Sequence, residues 1–517
     1  MLAMPRSVPI LLLSCLFVYG CAVNPVTGRN ELAIIPESSE INIGSENFAP
    51  SRQMQGGDYT VDPKVTAYVN EVGQKLVAVS DRKLPYEFAV LNNSTPNAWA
   101  LPGGKIAINR GLLLELNSEA ELAAVLGHEI VHAAARHGAR QMEKGMMLQG
   151  ALIATGIAAG GSDYANLIVG GAQVAAGLIQ TRYSREDERE ADFYGMQYMS
   201  RSGYDPMAAV YLQETFVRLQ ENRSSNWLAG LFASHPPSLD RVQDNRVTLS
   251  RLPKGGKVGQ EIYRQRIASL DRSRRAYENY DIGREYLQND DAPKARAYAQ
   301  EAIKIEPREA QFYALRGDTY YMQERYQDAL ADYSRAIERN DNYFYFYLQR
   351  GKTRKKLNLG EDAFADLEKS TRLLPTATAY NSMGELELSR GARQQAIQYF
   401  AEAAASNSQV GMQARTALLR LDFQNYARRY IEILIGLGPE GYLQARISNQ
   451  APVGLRNLQF LVRYPGPAGE GLQAVRTIAA TIGSGQVYFA ALELGPFKGA
   501  TALNAIRIEI TGADLLE

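Results

Sequence analysis

His128, Glu129 and His132 stand in the order histidine-glutamate-x-x-histidine, and with His137 and His235 they account for all four histidines of the chain. On a helix, two histidines four residues apart project from one face with their Cβ atoms about 5–6 Å apart, so both imidazoles reach one cation. Glu129 lies about 100° further round. A carboxylate there can take a proton from water activated by the cation and hand it to a leaving amine. The chemistry such a set performs is metal-assisted hydrolysis, and one Zn²⁺ per chain is the expected cofactor. His137, five residues past His132, turns off that face and is expected at the surface or behind the ligands.

Catalytic zinc needs a third protein ligand and an open position. The metzincin pattern would require glycine at 135 and histidine at 138, but Ala135 and Gly138 stand there, so the ligand must come from another element. The acidic run Ser184 to Asp192 is the candidate. Glu188 and Asp192 share a helix face, and Ala191 and Gly195 leave that side small enough for close packing on another helix. Glu188 would bind the metal while Asp192 accepts the outer N–H of a ligand histidine. Acids that follow an N-cap such as Ser184 also simply complement the helix dipole, and spacing alone leaves both readings open. Ser118-Glu119-Ala120-Glu121 reads as a capping box, which starts the helix carrying His128 and His132 just before the motif.

Around this unit the chain divides further. Gly283, Gly317, Gly351 and Gly384 recur at intervals of 34, 34 and 33 residues, each followed twelve residues later by Ala295, Ala329, Ala363 and Ala396. That is the tetratricopeptide period, in which small residues let paired helices approach and stacked pairs bury a continuous core. The expected organisation is multidomain: a signal segment 1–20, a mainly α peptidase unit of zincin type over 21–262, and an α-solenoid of four repeats over 276–408. A helical linker over 409–441 and a small β-sandwich over 442–517 complete it. Strand-like runs at 459–464, 486–489 and 505–510 carry the sandwich. The apolar, glycine-rich stretches 146–159 and 167–179 are short for membrane spans and read as buried helices or a lid.

Lysine plus arginine and aspartate plus glutamate both total 56, which gives no field favouring nucleic acid. Arg6, the apolar run from Val8 to Tyr19 and Gly20-Cys21 have the layout of an export signal, with Cys21 placed as a lipidated cysteine would be. Cys15 and Cys21 are the two cysteines, so no disulfide is expected after processing.

Histidine-glutamate-x-x-histidine followed by Ser184, Arg185, Glu188, Ala191 and Asp192 resembles the gluzincin family that contains the heat-shock membrane protease and the CaaX prenyl endopeptidase. Asn24-Pro25-Val26-Thr27-Gly28-Arg29, Ser234-His235-Pro236-Pro237 and the repeat tail are similar to its periplasmic lipoprotein branch, over about residues 21–410. The resemblance implies that Glu188 is the third ligand and Asp192 its partner residue. It implies a His235 that approaches the zinc, either as a latch or as a transition-state donor, although a histidine between prolines in an ordinary loop stays open. Arg241 would assist by charge or serve as a surface ion pair. Asn97, Ala98, Trp99 and Ala100 resemble an edge strand that holds extended substrate. By the same resemblance the partners are protein clients, including outer-membrane β-barrel proteins and their assembly machinery. The place is the periplasm, on the outer membrane through a lipid on Cys21. The C-terminal β region departs from the family. Two other readings are a chaperone or assembly adaptor with a latent metal site, and a membrane-embedded peptidase using the stretch 146–179.

Overall fold

The computed structural model describes residues 21–148, 174, 177–178, 182–222, 235–466, 469–497 and 499–516. The expected signal segment, nearly all of the apolar stretch up to 181, Ser234 and the Cys21 side chain lie outside the described residues. No described helix is long and apolar enough to cross a membrane. The chain forms two compact units that divide between Pro375 and Thr376.

The first unit opens with a short antiparallel pair, β1 (Cys21–Val23) and β2 (Asn30–Leu32), then α1 (Glu37–Met54) and α2 (Pro63–Val77). A three-stranded sheet follows in the order β3 (Glu87–Leu91), β5 (Lys105–Asn109), β4 (Ala98–Leu101), parallel between the first two and antiparallel between β5 and β4. β4 is therefore an edge. Next come α3 (Arg110–Leu113), α4 (Glu119–Ala134), α5 (His137–Leu148), α6 (Arg185–Arg201), α7 (Met207–Asn222), α8 (Leu239–Ser250) and α9 (Gln260–Arg272).

Helix α4 is the centre of this unit. Every one of its residues except His128 is buried, with alanine, leucine, isoleucine and valine packed on the core around the two histidines. On one side it meets α2, whose Val65, Val69, Val72 and Leu76 recur at helical spacing and are all but fully buried with Leu122, Leu126 and Ile130. On another side it meets α6. There Gly127 and Gly195 face each other so closely that a Cβ on Gly195 would lie 3.1 Å from the His128 backbone nitrogen.

Three helix pairs complete the first unit: α10 (Arg274–Gln288) with α11 (Ala292–Ile305), α12 (Ala310–Met322) with α13 (Tyr326–Arg339), and α14 (Phe344–Lys356) with α15 (Gly360–Leu373). The repeating glycine and alanine meet in the first and third pairs, where a Cβ on Gly283 would come 3.2 Å from the Ala295 carbonyl oxygen and one on Gly351 3.1 Å from that of Ala363; in the second pair Gly317 makes room for the Tyr333 ring. These pairs are bonded to the sheet-bearing part. Asn92 Nδ2 donates to Glu309 at 3.0 Å, and the Gln53 amide donates to the Asn342 carbonyl at 2.7 Å and accepts from Phe344 N. The Arg110 guanidinium stacks 3.3 Å from the centre of the Tyr277 ring.

The second unit begins with the pair α16 (Ala377–Ser389) and α17 (Arg393–Ala404), followed by α18 (Gln409–Tyr426). Two antiparallel three-stranded sheets follow. One has the order β10 (Val487–Ala491), β7 (Leu443–Asn449), β6 (Ile431–Leu437); the other has β11 (Arg507–Leu515), β8 (Leu455–Pro465), β9 (Gly471–Ile478). Ile447 and Ala445 of the first share one core with Leu458, Phe460 and Val462 of the second and with Leu419 and Phe423 of α18, a sandwich without barrel closure. The expected helical linker over 409–441 is corrected here, because residues 431–437 are strand β6. Isoleucines 431, 433 and 435 alternate with outward residues, and pairing with β7 lets that period of two bury one face.

Candidate metal centre

Local signals fix where the site helices begin and end. Ser118 caps α4 by accepting from Glu121 N at 3.1 Å, and the Glu121 carboxylate reaches Asn117 N at 2.7 Å, one residue before the cap. At the other end, the Asn24 amide donates to the Ala135 carbonyl at 2.9 Å, so the early Asn24 to Arg29 loop closes the C-terminus of the histidine helix. Arg136 then takes a left-handed conformation with φ of 61°, and His137 starts a new helix. Ser184 caps α6 in a reciprocal box with Asp187. The acidic run is thus divided: Asp187 serves the cap, while the next residue, Glu188, is buried and turned toward α4.

The Gly127–Gly195 approach brings the two helices together and four residues converge. His128 Nε2 and His132 Nε2 lie 3.0 Å apart. Glu188 places its oxygens 3.5 Å from His128 Nε2 and 3.4 Å from His132 Nε2. His235 Nδ1 is 2.9 Å from Glu188 Oε1 and 3.2 Å from His128 Nε2. One donor atom from each of His128, His132, Glu188 and His235 lies within 4.8 Å of the other three. Glu129 stands at the rim of this cluster, its Oε1 3.6 Å from His235 Nε2.

The set fits a metal such as zinc. Tetrahedral coordination with ligands at about 2.0–2.1 Å puts neighbouring donor atoms about 3.3 Å apart, close to the spacings found. Glu129 Oε2, Glu188 Oε2 and His235 Nε2 are buried yet have no hydrogen-bond partner among the described residues, which is costly unless a further group is bound among them. Outside the cluster, His128 Nδ1 is 3.0 Å from Asp192 Oδ1, which fixes its tautomer with Nε2 free to coordinate. Arg241 donates to both Asp192 oxygens at 2.8 Å, and its Nη1 sits 2.8 Å from Glu188 Oε2 as an ion pair without hydrogen-bond alignment.

Charges here are strongly coupled. Burial favours the neutral imidazole of His128, but Glu188 and Asp192 overcome it and raise its pKa to about 10. Burial and the neighbouring histidines hold His132 well below the usual imidazole value, with Glu188 opposing. Burial raises Glu129, the direction that suits a group exchanging protons near neutral pH. Burial would also raise Glu188, but His235, Arg241 and His128 outweigh it and hold the carboxylate well below its ordinary range.

Of two further groups at the site, sequence reasoning left the place of one open and missed the other. His137 takes the second of its two expected places, buried behind the ligands: its Nδ1 is 2.8 Å from His132 Nδ1 and its Nε2 3.3 Å from Glu190 Oε2. The expectation assumed one continuous helix, and the turn at Arg136 swings His137 back behind His132. Arg29 Nη1, 3.0 Å from Glu190 Oε1, extends this chain of contacts. Tyr183 stacks on His132 with ring centres 3.8 Å apart and donates to the Ala100 carbonyl at 3.4 Å. No spacing rule links Tyr183 to the motif. Of the residues expected along the edge strand, Ala98, Trp99 and Ala100 lie in β4, whereas Asn97 precedes it and accepts from Asn109 N through its backbone carbonyl. Trp99 is buried edge-on against Phe48.

Comparison with known proteins converges on this architecture. Residues 63–248 match the model of peptidase family M48, and residues 280–343 that of a tetratricopeptide repeat. The chain is 30% identical over 273 residues to the beta-barrel assembly-enhancing protease of Escherichia coli (strain K12), covering 49% of this chain and 52% of that one. It is 36% identical over 180 residues to the mitochondrial metalloendopeptidase OMA1 of Schizosaccharomyces pombe, covering 34% and 51%. With the metalloprotease YcaL of Escherichia coli (strain K12) it shares 31% identity over 163 residues, covering 31% and 61%. The chain spans about half the length of the curated relatives it matches. Both helices of the histidine–glutamate cluster thus lie inside the stretch that matches peptidase family M48, and the chain joins that stretch to one that matches a tetratricopeptide repeat.

Proposed function

We propose that this protein is a zinc-dependent endopeptidase that acts on protein clients in the bacterial cell envelope. The observation that carries the reading is the convergence of His128, His132, Glu188 and His235 with Glu129 at the rim. His128, His132 and Glu188 would hold the metal. When bound, zinc supplies Lewis acidity to the scissile carbonyl and lowers the pKa of water. Glu129 accepts the proton from that water and delivers it to the leaving amine. Asp192 holds His128 in the coordinating tautomer, and Arg241 keeps Asp192 and Glu188 charged in a buried site. β4 lies at the sheet edge, where an extended client segment would lie antiparallel or parallel beside Tyr183, held by backbone bonds rather than side chains.

The assembly-enhancing name of the Escherichia coli relative supports clients among misassembled outer-membrane β-barrel proteins, with the repeats positioning them. A periplasmic location with a lipid on Cys21 belongs to the same reading and is checked by fatty-acid labelling of wild type beside Cys21→Ala.

Glu129→Gln tests the reading. The variant should bind zinc one to one and retain clients while casein cleavage is lost. Wild-type protein that binds no zinc would overturn it. His235, 2.9 Å from Glu188 and 3.2 Å from His128, favours a second reading in which the repeats act as an assembly adaptor and the metal site is latent. In that case Glu129→Gln changes nothing in any assay, and His235→Ala raises cleavage.

A further inference from the structure

Beside the metal centre, a pocket of about 40 Å³ opens between β4, α4, α6 and α7. Its floor is aliphatic: Leu112, Val125, Met196, Met199 and Leu212 are each nearly fully buried. One wall reaches Ala98 of the edge strand and another reaches His128 and Glu129, so the pocket lies where a chain paired with β4 passes the metal centre. A water needs about 10–15 Å³ in this measure, so the space holds roughly three waters, or a short branched side chain with as many heavy atoms beyond Cα.

The polar part of the lining is His128, Glu129, Asp192, His235 and Arg241 of the metal centre, with Asn245 and Gln213. Gln213 is 6% exposed, and its Oε1 is buried with no hydrogen-bond partner among the described residues. An orphaned amide oxygen beside an apolar pocket is costly when nothing donates to it. A ligand that fills the pocket and brings one donor removes that cost, and among short branched side chains threonine does both.

We infer that this pocket is the subsite for one of the two residues flanking the scissile bond, that it takes short branched side chains, and that Gln213 selects threonine over valine. The inference rests on the peptidase reading above and names its substrate class. Long and aromatic side chains are excluded by volume. Sites built to bond a substrate hydroxyl discriminate strongly against the isostere that lacks it, because the protein group is then left unpaired.

The test maps cleavage sites on denatured casein by mass spectrometry, then measures kcat/KM on a peptide pair differing only by threonine or valine at the enriched position. Wild-type enzyme should favour threonine by at least about tenfold, and Gln213→Met should abolish or invert that preference. As a second variant, Ala209→Val narrows the same pocket and should move the enriched residue toward alanine or glycine. Cleavage of casein with no enrichment at either flanking position, or equal rates for the pair in wild type and Gln213→Met, overturns the subsite while leaving the peptidase reading intact. Wild-type protein that loads zinc and cleaves nothing overturns both.

Discussion

Replacing Gly195 by alanine puts a methyl group where α4 and α6 touch. The new Cβ would lie 3.1 Å from the His128 backbone nitrogen and 3.2 Å from the Gly127 carbonyl carbon, where ordinary contact begins at 3.4 Å. Both neighbours are backbone in a buried helix and cannot rotate away, so the helices must part by about 0.3 Å in a close-packed interior. Glu188 lies about two turns earlier on the same rigid helix and moves with it, while His128 and His132 stay with α4. Metal–ligand distances tolerate about 0.2 Å, so this displacement exceeds what the site absorbs without loss. Zinc affinity is expected to fall about 10–100-fold, as when groups that orient ligands are removed. Overpacking costs about 1–3 kcal/mol, and alanine's better helix propensity returns about 1 kcal/mol, so the variant still folds. The assay is competition for zinc against a chelator of known affinity, with thermal melts of the metal-free proteins to confirm folding. Gly145→Ala is the control, because a Cβ there meets nothing within 4 Å. A folded Gly195→Ala protein with wild-type zinc affinity would refute the claim that helix contact sets the position of Glu188.

Two further predictions concern groups away from the motif. His137→Leu removes the partner of His132 Nδ1 and should weaken zinc binding about 10–100-fold while leaving the apo fold intact, read by the same competition assay. Asp318, which receives hydrogen bonds from Tyr333 and Tyr345, has its pKa pushed by burial up to about 6. Its folded value lies above its unfolded one, so the proton is bound more tightly in the folded state. Its contribution to stability is full below about pH 4 and is lost as pH rises through 6. Allowing for partial exposure, wild type should lose about 1–2 kcal/mol across that interval relative to Asp318→Asn. Denaturant melts of both proteins at pH 4 and pH 7 read this difference directly, and equal pH slopes would show that Asp318 is not desolvated.

Much of the site's chemistry is readable from local spacing. His128 and His132 share a face because a helix repeats every 3.6 residues, and Ser118 and Ser184 announce where the two helices start. The glycine–alanine interval marks the repeats because each repeat is one helix pair with one close approach. Spacing fails where the chain turns. The place of His137 stayed open between the surface and the back of the ligands because a single left-handed residue, Arg136, ends one helix and begins another. Residues 431–437 were read as helix because isoleucine and leucine runs satisfy either period until a partner strand is known. Tyr183 and Gln213 carry no motif, and only packing brings them to the metal centre or its pocket.

By itself, then, the amino-acid order determined the donor types, the carboxylate of Glu129 beside the two histidines, the small residues at 191 and 195 and the helical-pair repeat, all of which are properties of one element at a time. The tertiary structure decided which acid of the run 186–192 faces the histidines, that His235 sits among them, and that the Asn24 loop closes the helix end. Those depend on distances between segments tens of residues apart, set by how α4, α6 and the 235–241 stretch pack, and packing is a property of the assembled core rather than of any local sequence.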